Sequence, residues 1–369
     1  MTDSNVSSAE RLSRLQAQMA HDGVDLVAIA PTANMRYLLG FAPLADERPC
    51  ALLVSRQATR FVVPMLNADQ VEGRTGLKAI RWADAAGPQQ ALAEALSGLG
   101  VAPGGVLAAD DTMRADALLI LQEAIRPART LAAGGLMTAL RIRKSEAEIE
   151  ALARAAAQAD RAVMVGVEAC RPGVTEREVA DKIAGYFRQD GAELVDFTIV
   201  ASGPSGAFPH HETGDRRLQP GDTIIIDIGA SLHGYKSDVT RVVHLGEPSD
   251  EVRAVYQAVL EANRRGREAA RAGARARDVD RAARGSIEQA GYGPHFLHRT
   301  GHGLGLEVHE PPWMTSESDT LLEPGMVFSV EPGVYLQGKF GVRIEDIVVV
   351  TEGECRCLTG LDHQLMVKA

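Results

Sequence analysis

The chain has 369 residues, 45% apolar and 24% charged, which is enough for two domains of ordinary globular composition. Its 39 Lys and Arg face 49 Asp and Glu, a net charge of −10; phosphate contacts call for a basic face, so nucleic acid is excluded as the main partner. No segment reaches the roughly 18 uninterrupted apolar residues of a membrane span, and Cys50, Cys170, Cys355 and Cys357 lack the spacing of a thiolate zinc site or a disulfide framework.

Residues 1–19 are polar and hold no apolar block of signal-peptide length, so the expected location is the cytoplasm. Helical spacing predicts an amphipathic helix over residues 9–22, and apolar runs predict strands over 25–30, 51–55 and 60–65. No cluster of catalytic residue types appears among them. These elements predict a smaller mixed α/β domain over residues 1–138. The small-residue stretch Ala132-Ala133-Gly134-Gly135 marks a junction to a second domain over residues 139–369.

Beyond the junction, Ser145 with Glu148 and Thr175 with Glu178 are capping boxes that open two helices. Ile149, Leu152, Ala156, Ala159 and Val163 recur at helical spacing, Pro172-Gly173 stops the first helix, and a strand is predicted over 194–201. The region then repeats. Gly173, Val179 and Gly191 match Gly273, Val279 and Gly291, and Pro220-Gly221 leads to Asp227 as Pro324-Gly325 leads to Glu331. Each copy predicts helix, helix and a two-stranded hairpin, so the domain is expected to be two related halves enclosing a cleft. The arginine-rich stretch 264–284 interleaves Glu and Asp in a helical pattern and predicts a solvated helix face.

The first hairpin runs from Thr223 to Asp227-Ile-Gly229, turns at Leu232-His233, and returns through Tyr235 to Asp238 and Arg241. That turn sets Asp227 opposite Asp238. Like charges facing each other within apolar strands are destabilising unless a cation lies between them. The second hairpin runs through Val327 to Glu331, turns near Gln337-Gly338-Lys339, and returns through Arg343 to Glu345, which sets Glu331 opposite Glu345. Between them, Gly301-His302-Gly303 presents an imidazole whose flanking glycines permit close backbone approach and unusual dihedral angles. Four carboxylates and one neutral imidazole balance two divalent cations, and an oxygen-rich set without thiolate suits Mn2+ or a similar ion. His210 and His309 stand in nearby loops and carry a side chain able to exchange a proton near neutral pH. Taken alone, either would be a surface histidine more often than not.

In sequence order, DIGASLHGYKSDVTR, GHGLGLEVHEPP, SVEPGVY and GVRIED resemble the pita-bread metallopeptidases, specifically the branch of Xaa-Pro dipeptidases (prolidases) and Xaa-Pro aminopeptidases. The resemblance implies an α/β (α+β) architecture. A C-terminal pita-bread domain with pseudo-twofold halves and a central curved sheet would follow a creatinase-like N-terminal domain that serves access and oligomerisation. It implies two divalent ions per subunit, Mn2+ foremost with Co2+ or Zn2+ as alternatives, held by Asp227, Asp238, His302, Glu331 and Glu345, with Asp238 and Glu345 bridging. Glu331 would also shuttle a proton, His210 and His309 would contact substrate and steady the tetrahedral intermediate, and Arg343 matches an arginine usual in the proline-specific branch. The implied activity is hydrolysis of the Xaa-Pro bond in a small peptide with proline at the second position, by a cytoplasmic homodimer with no membrane or nucleic-acid partner. A dipeptidase is the first reading; an aminopeptidase on longer peptides, a non-peptide hydrolase or lyase on the same fold, and a non-catalytic binding protein are the alternatives.

Overall fold

In the computed structural model, which describes residues 7–369, the chain divides after Arg141 into two units. The start of the polar opening segment, residues 1–6, lies outside the described residues. The first unit comprises α1 (Ser8–Asp22), β1 (Leu26–Ile29), α2 (Ala33–Leu39), β2 (Ala51–Ser55), β3 (Thr59–Pro64), α3 (Met65–Thr75), β4 (Ala79–Trp82), α4 (Gln89–Leu99), β5 (Val106–Ala109), α5 (Ala115–Ile125), β6 (Arg129–Ala132) and α6 (Gly134–Arg141). Its six strands form one sheet in the order β4-β3-β2-β1-β5-β6. The β1–β2 and β2–β3 pairs are antiparallel and the β1–β5 and β5–β6 pairs parallel. The central strands β1 and β2 are buried along their whole length, which is why they read as continuous apolar runs. The small-residue stretch is the turn from β6 into α6, and the division between the units follows that helix.

The second unit comprises α7 (Glu146–Ala169), α8 (Glu176–Gln189), β7 (Leu194–Ser202), β8 (Thr223–Leu232), β9 (Tyr235–Lys236), β10 (Val239–Leu245), α9 (Asp250–Ala269), α10 (Ala276–Gln289), β11 (Gly301–Gly303), β12 (Glu310–Met314), β13 (Val327–Val330), β14 (Gly333–Leu336), β15 (Phe340–Arg343), β16 (Asp346–Val349), β17 (Arg356–Cys357) and β18 (Met366–Lys368). Both capping boxes form, with Ser145 and Glu148 opening α7 and Thr175 and Glu178 opening α8. The arginines of α9 lie on a solvated face, where Arg264 and Arg265 pair with Glu261.

The twin halves share their backbone hydrogen bonds. Gly173 N–H donates to Leu218 O and Leu218 N–H to Val174 O; in the second half Gly273 donates to Leu322 and Leu322 to Ala274. Gly221 N–H donates to Leu245 O as Gly325 N–H donates to Val350 O. Gly173, Gly221, Gly273 and Gly325 all have φ between +82° and +89°, the region open to glycine, so the repeated glycines mark repeated turns. One sheet runs β18-β10-β8-β7 with β9 beside β8, another β12-β11-β13-β16-β17, and β14-β15 form a separate ribbon. Apolar faces of α7 and α8 pack on β8 and β10 in one half, and α10 packs against β13 and β16 in the other.

The two hairpins differ in how well their register was anticipated. The first turn falls at His233-Gly234, both with positive φ, one residue later than expected; Leu232 pairs with Tyr235 and Thr240, not Asp238, lies across from Asp227. A turn with two left-handed residues favours glycine in its second position, and that preference outweighs the alternation that suggested Leu232-His233. Asp238 therefore sits in the gap between β9 and β10, diagonal to Asp227. In the second hairpin Val330 pairs with Asp346 and Gly333 with Arg343, so Glu331 and Glu345 face each other where both strands leave the sheet.

Candidate metal centre

Five side chains reach one cavity from five backbone positions: Asp227 on β8, Asp238 before β10, His302 on β11, Glu331 after β13 and Glu345 before β16. His210, His309 and Arg343 line the same cavity, whose volume is about 730 Å³, within the range of ligand sites. Asp238, His302 and Glu345 are buried, and one donor atom from each lies within 4.8 Å of the others. Ligands across a single small cation are about 4.2 Å apart, twice a bond of ~2.1 Å, so only a slight contraction would enclose an ion.

His302 is aimed by its surroundings. Its ring Nδ1 lies 3.1 Å from the Gly303 carbonyl, an arrangement in which Nδ1–H donates and Nε2 points into the cavity. Nε2 then faces Glu331 Oε1 at 3.2 Å and Asp238 Oδ2 at 3.7 Å, so these acceptors need a shared proton or a cation between them. A Cβ on Gly301 would strike the Ser329 carbonyl, and one on Gly303 the carbonyls of Glu310 and Pro311. Neither glycine has a left-handed φ, so they serve close approach and not the unusual dihedral angles expected.

The acids are held from behind. Ser329 Oγ donates to Glu331 (3.0 Å) and accepts the His302 N–H (3.0 Å); Thr240 Oγ1 donates to Glu345 (2.8 Å). Buried Arg343 reaches Asp227 Oδ2 at 2.5 Å, the Tyr335 hydroxyl at 2.9 Å and Thr240 Oγ1 at 3.3 Å. It neutralises one acid and leaves three. The other oxygen of Asp227, Oδ1, is buried with no hydrogen-bond partner, an orphaned acceptor that a cation would satisfy.

Charge crowding shifts the ionisation of these acids. Burial, then the neighbouring acids, push Asp238 and Glu345 well above the usual carboxyl range. Burial also pushes Glu331 upward, but its hydrogen bond to His302 and the charges of His302, His298 and Arg343 prevail and bring it down to about 2. Burial lowers His309 to about 4, helped by the charges of His302 and Arg299, so its ring is neutral at pH 7. Its ring stands edge-on to His302 with centroids 4.2 Å apart. His210 is exposed on the cavity wall; the adjacent His211 instead pairs with buried Glu176 at 2.8 Å.

The cavity also gathers residues that no local pattern marked. His298 Nε2 lies 2.7 Å from the Tyr335 hydroxyl, which joins it through Arg343 to Asp227. Phe197 and Ile199 form an apolar wall, and Arg299 adds a cation. His298 and Tyr335 lie four residues from His302 and Glu331 respectively, but only tertiary packing brings their rings together.

Residues 150–352 match Metallopeptidase family M24, and residues 11–143 match the Creatinase/Prolidase N-terminal domain. The chain belongs to metallopeptidase family M24. It is 39% identical to the probable dipeptidase PepE of Mycobacterium tuberculosis over 97% of this chain and 96% of that protein. It is 34% identical to the Xaa-Pro dipeptidase of Pyrococcus furiosus over 97% and 99% of the two chains. The crystal structure of prolidase from Thermococcus sibiricus superposes with a TM-score of 0.93 at 37% identity, covering 98% of this chain and 100% of that one. The protein is a metal-dependent hydrolase with a creatinase-type domain ahead of a pita-bread domain.

Proposed function

We propose that this M24 enzyme is an Xaa-Pro dipeptidase that holds two divalent cations, Mn2+ foremost with Co2+ or Zn2+ as alternatives. The observation that carries the reading is the convergence of four carboxylates and one imidazole on a cavity flanked by two further histidines and an apolar wall. The names of the full-length relatives support the substrate class. Asp227, Asp238, His302, Glu331 and Glu345 would hold the ions. When bound, such a pair supplies Lewis acidity that lowers the pKa of a water towards neutrality.

The remaining chemistry belongs to the chain. Glu331, ionised and open to the cavity, accepts the proton of the attacking water and returns it to the prolyl nitrogen as the bond breaks. His309, neutral at pH 7, donates an N–H to the carbonyl oxygen as negative charge develops there, and His210, which lines the same cavity, assists. Arg343 fixes Asp227. Phe197 and Ile199 offer a surface for the pyrrolidine ring, whose nitrogen has no N–H and needs no acceptor.

Residues 1–138 restrict access and mediate oligomerisation in this reading, and the working form is a cytoplasmic homodimer. The net charge of −10 disfavours nucleic acid as a partner. Among the described residues no helix is long and apolar enough to cross a membrane. The deciding experiment compares an Xaa-Pro dipeptide with an Xaa-Pro-Yaa tripeptide on manganese-loaded protein before and after exhaustive chelation. The dipeptide should be cleaved faster, and chelation should abolish cleavage. A tripeptide cleaved as fast as the dipeptide would make the enzyme an aminopeptidase, and chelator-insensitive cleavage would refute the two-ion site.

A further inference from the structure

A dipeptide differs from the end of a longer peptide in carrying a free carboxylate one residue beyond the scissile bond. In the loaded enzyme the ions would offset Asp227, Asp238, Glu331 and Glu345, and Asp196 on the cavity wall is already paired with Lys236 at 2.5 Å, so a further cation is needed to hold that anion. Two guanidiniums line it. Arg343 is buried and committed to Asp227, Tyr335 and Thr240. Arg299 is half-buried, and among the described residues its side chain forms no ion pair. Its guanidinium lies over the ring of Trp313, 4.4 Å from the centroid.

That stacking matters chemically. A cation held over a ring is attracted without engaging hydrogen-bond acceptors, so its N–H donors stay available as the fork that grips a carboxylate with two parallel hydrogen bonds. Trp313 pairs with His302 across β11 and β12, so the platform is tied to the strand that carries the candidate imidazole ligand. The cavity therefore holds one uncommitted, pre-oriented cation beside a cluster of acids.

We propose that Arg299, held over Trp313, binds the free α-carboxylate of the substrate's prolyl residue and so selects dipeptides over extended or C-terminally blocked peptides. The inference rests on the Xaa-Pro reading above and assigns the residue that would set its exo-specificity. A longer peptide presents a neutral amide at this point and forfeits the charge-assisted pair.

The test uses manganese-loaded, full-length protein with alanyl-proline, alanyl-prolinamide and alanyl-prolyl-alanine. Wild type should favour the dipeptide over its amide by about 10- to 100-fold in kcat/KM, the range of a hydrogen-bonded charged pair. Arg299→Gln should erase that preference, raising the KM for the dipeptide by about 10-fold or more and that for the amide far less; Arg299→Lys should keep part of it. Equal losses on dipeptide and amide, or an unchanged dipeptide KM, would overturn the assignment while leaving the Xaa-Pro reading intact. If wild type cleaves none of the three, the Xaa-Pro reading fails and the assignment falls with it. If circular dichroism shows Arg299→Gln unfolded, Trp313 emission in a Trp82→Phe background carries the test. Proline should change that emission at concentrations where prolinamide does not, and equal responses would refute the assignment.

Discussion

At the scale of single residues, the acids are distinguished by what stands behind them. Asp238 has buried acids for neighbours and no hydrogen-bonded cation, so Asp238→Ala should lower both metal content and rate, the rate by at least about 10³-fold given how much of the catalysis depends on the ions. His309→Ala should lower kcat by about 10²–10³-fold, the usual cost of losing a donor to a developing oxyanion, while metal content by elemental analysis stays near wild type. Loss of the ions in that variant would instead make His309 a ligand. Asp238 and Glu345 are raised in pKa by burial and neighbouring charge. Between the ordinary carboxyl range and the raised values the metal-free fold binds more protons than the unfolded chain, so its stability falls as pH rises through that window. Divalent ions compete with the same protons. Apparent affinity should therefore climb with pH, and calorimetry in buffers of different ionisation enthalpy should record protons released, fewer at higher pH. Binding that releases none at any pH would contradict the protonated state of this pair.

At the scale of elements, the β-ribbons were legible where the local chemistry was specific and illegible where it was not. Gln337-Gly338-Lys339 identified the second turn, and the register of Glu331 and Glu345 followed from it. The first turn was read at Leu232-His233, and the backbone instead turns at His233-Gly234, the pair that accepts two positive φ values. The capping boxes were readable because their hydrogen bonds span only three residues. Tyr335, His298 and Arg299 were not, because their partners lie far along the chain or across a strand pair. The same elements make two stability predictions. Gly303→Ala drives a methyl into the Glu310 and Pro311 carbonyls and should cost about 1–3 kcal/mol in urea unfolding, with reduced metal uptake. Lys144 and Glu310 form a buried pair at 2.9 Å beside His309. Lys144→Met should cost about 3–5 kcal/mol, much of which the added Glu310→Leu should restore; no recovery in the double variant would show that the lysine acts elsewhere.

At the scale of the whole molecule, the proposed ions would be held by acids from both halves of the repeat and would link the two sheets. Saturation at a hundred times Kd should add about 2.7 kcal/mol to the unfolding free energy, visible as a higher Tm in calorimetry of loaded against chelated protein. An unchanged Tm would mean that the unfolded chain binds the ions equally well or that the fold does not hold them. The fully buried Arg241 has a different dependence. Its guanidinium donates to the Glu345 carbonyl, to Asp346 and to the carbonyls of Leu361 and Asp362, while β18 pairs in parallel with the strand that carries it. A nascent chain whose residues 361–368 are still inside the ribosomal exit tunnel can bury this cation only with part of its coordination missing. A variant cut before residue 361 should therefore be less stable than the whole chain, because Arg241 would stay buried with part of its coordination missing.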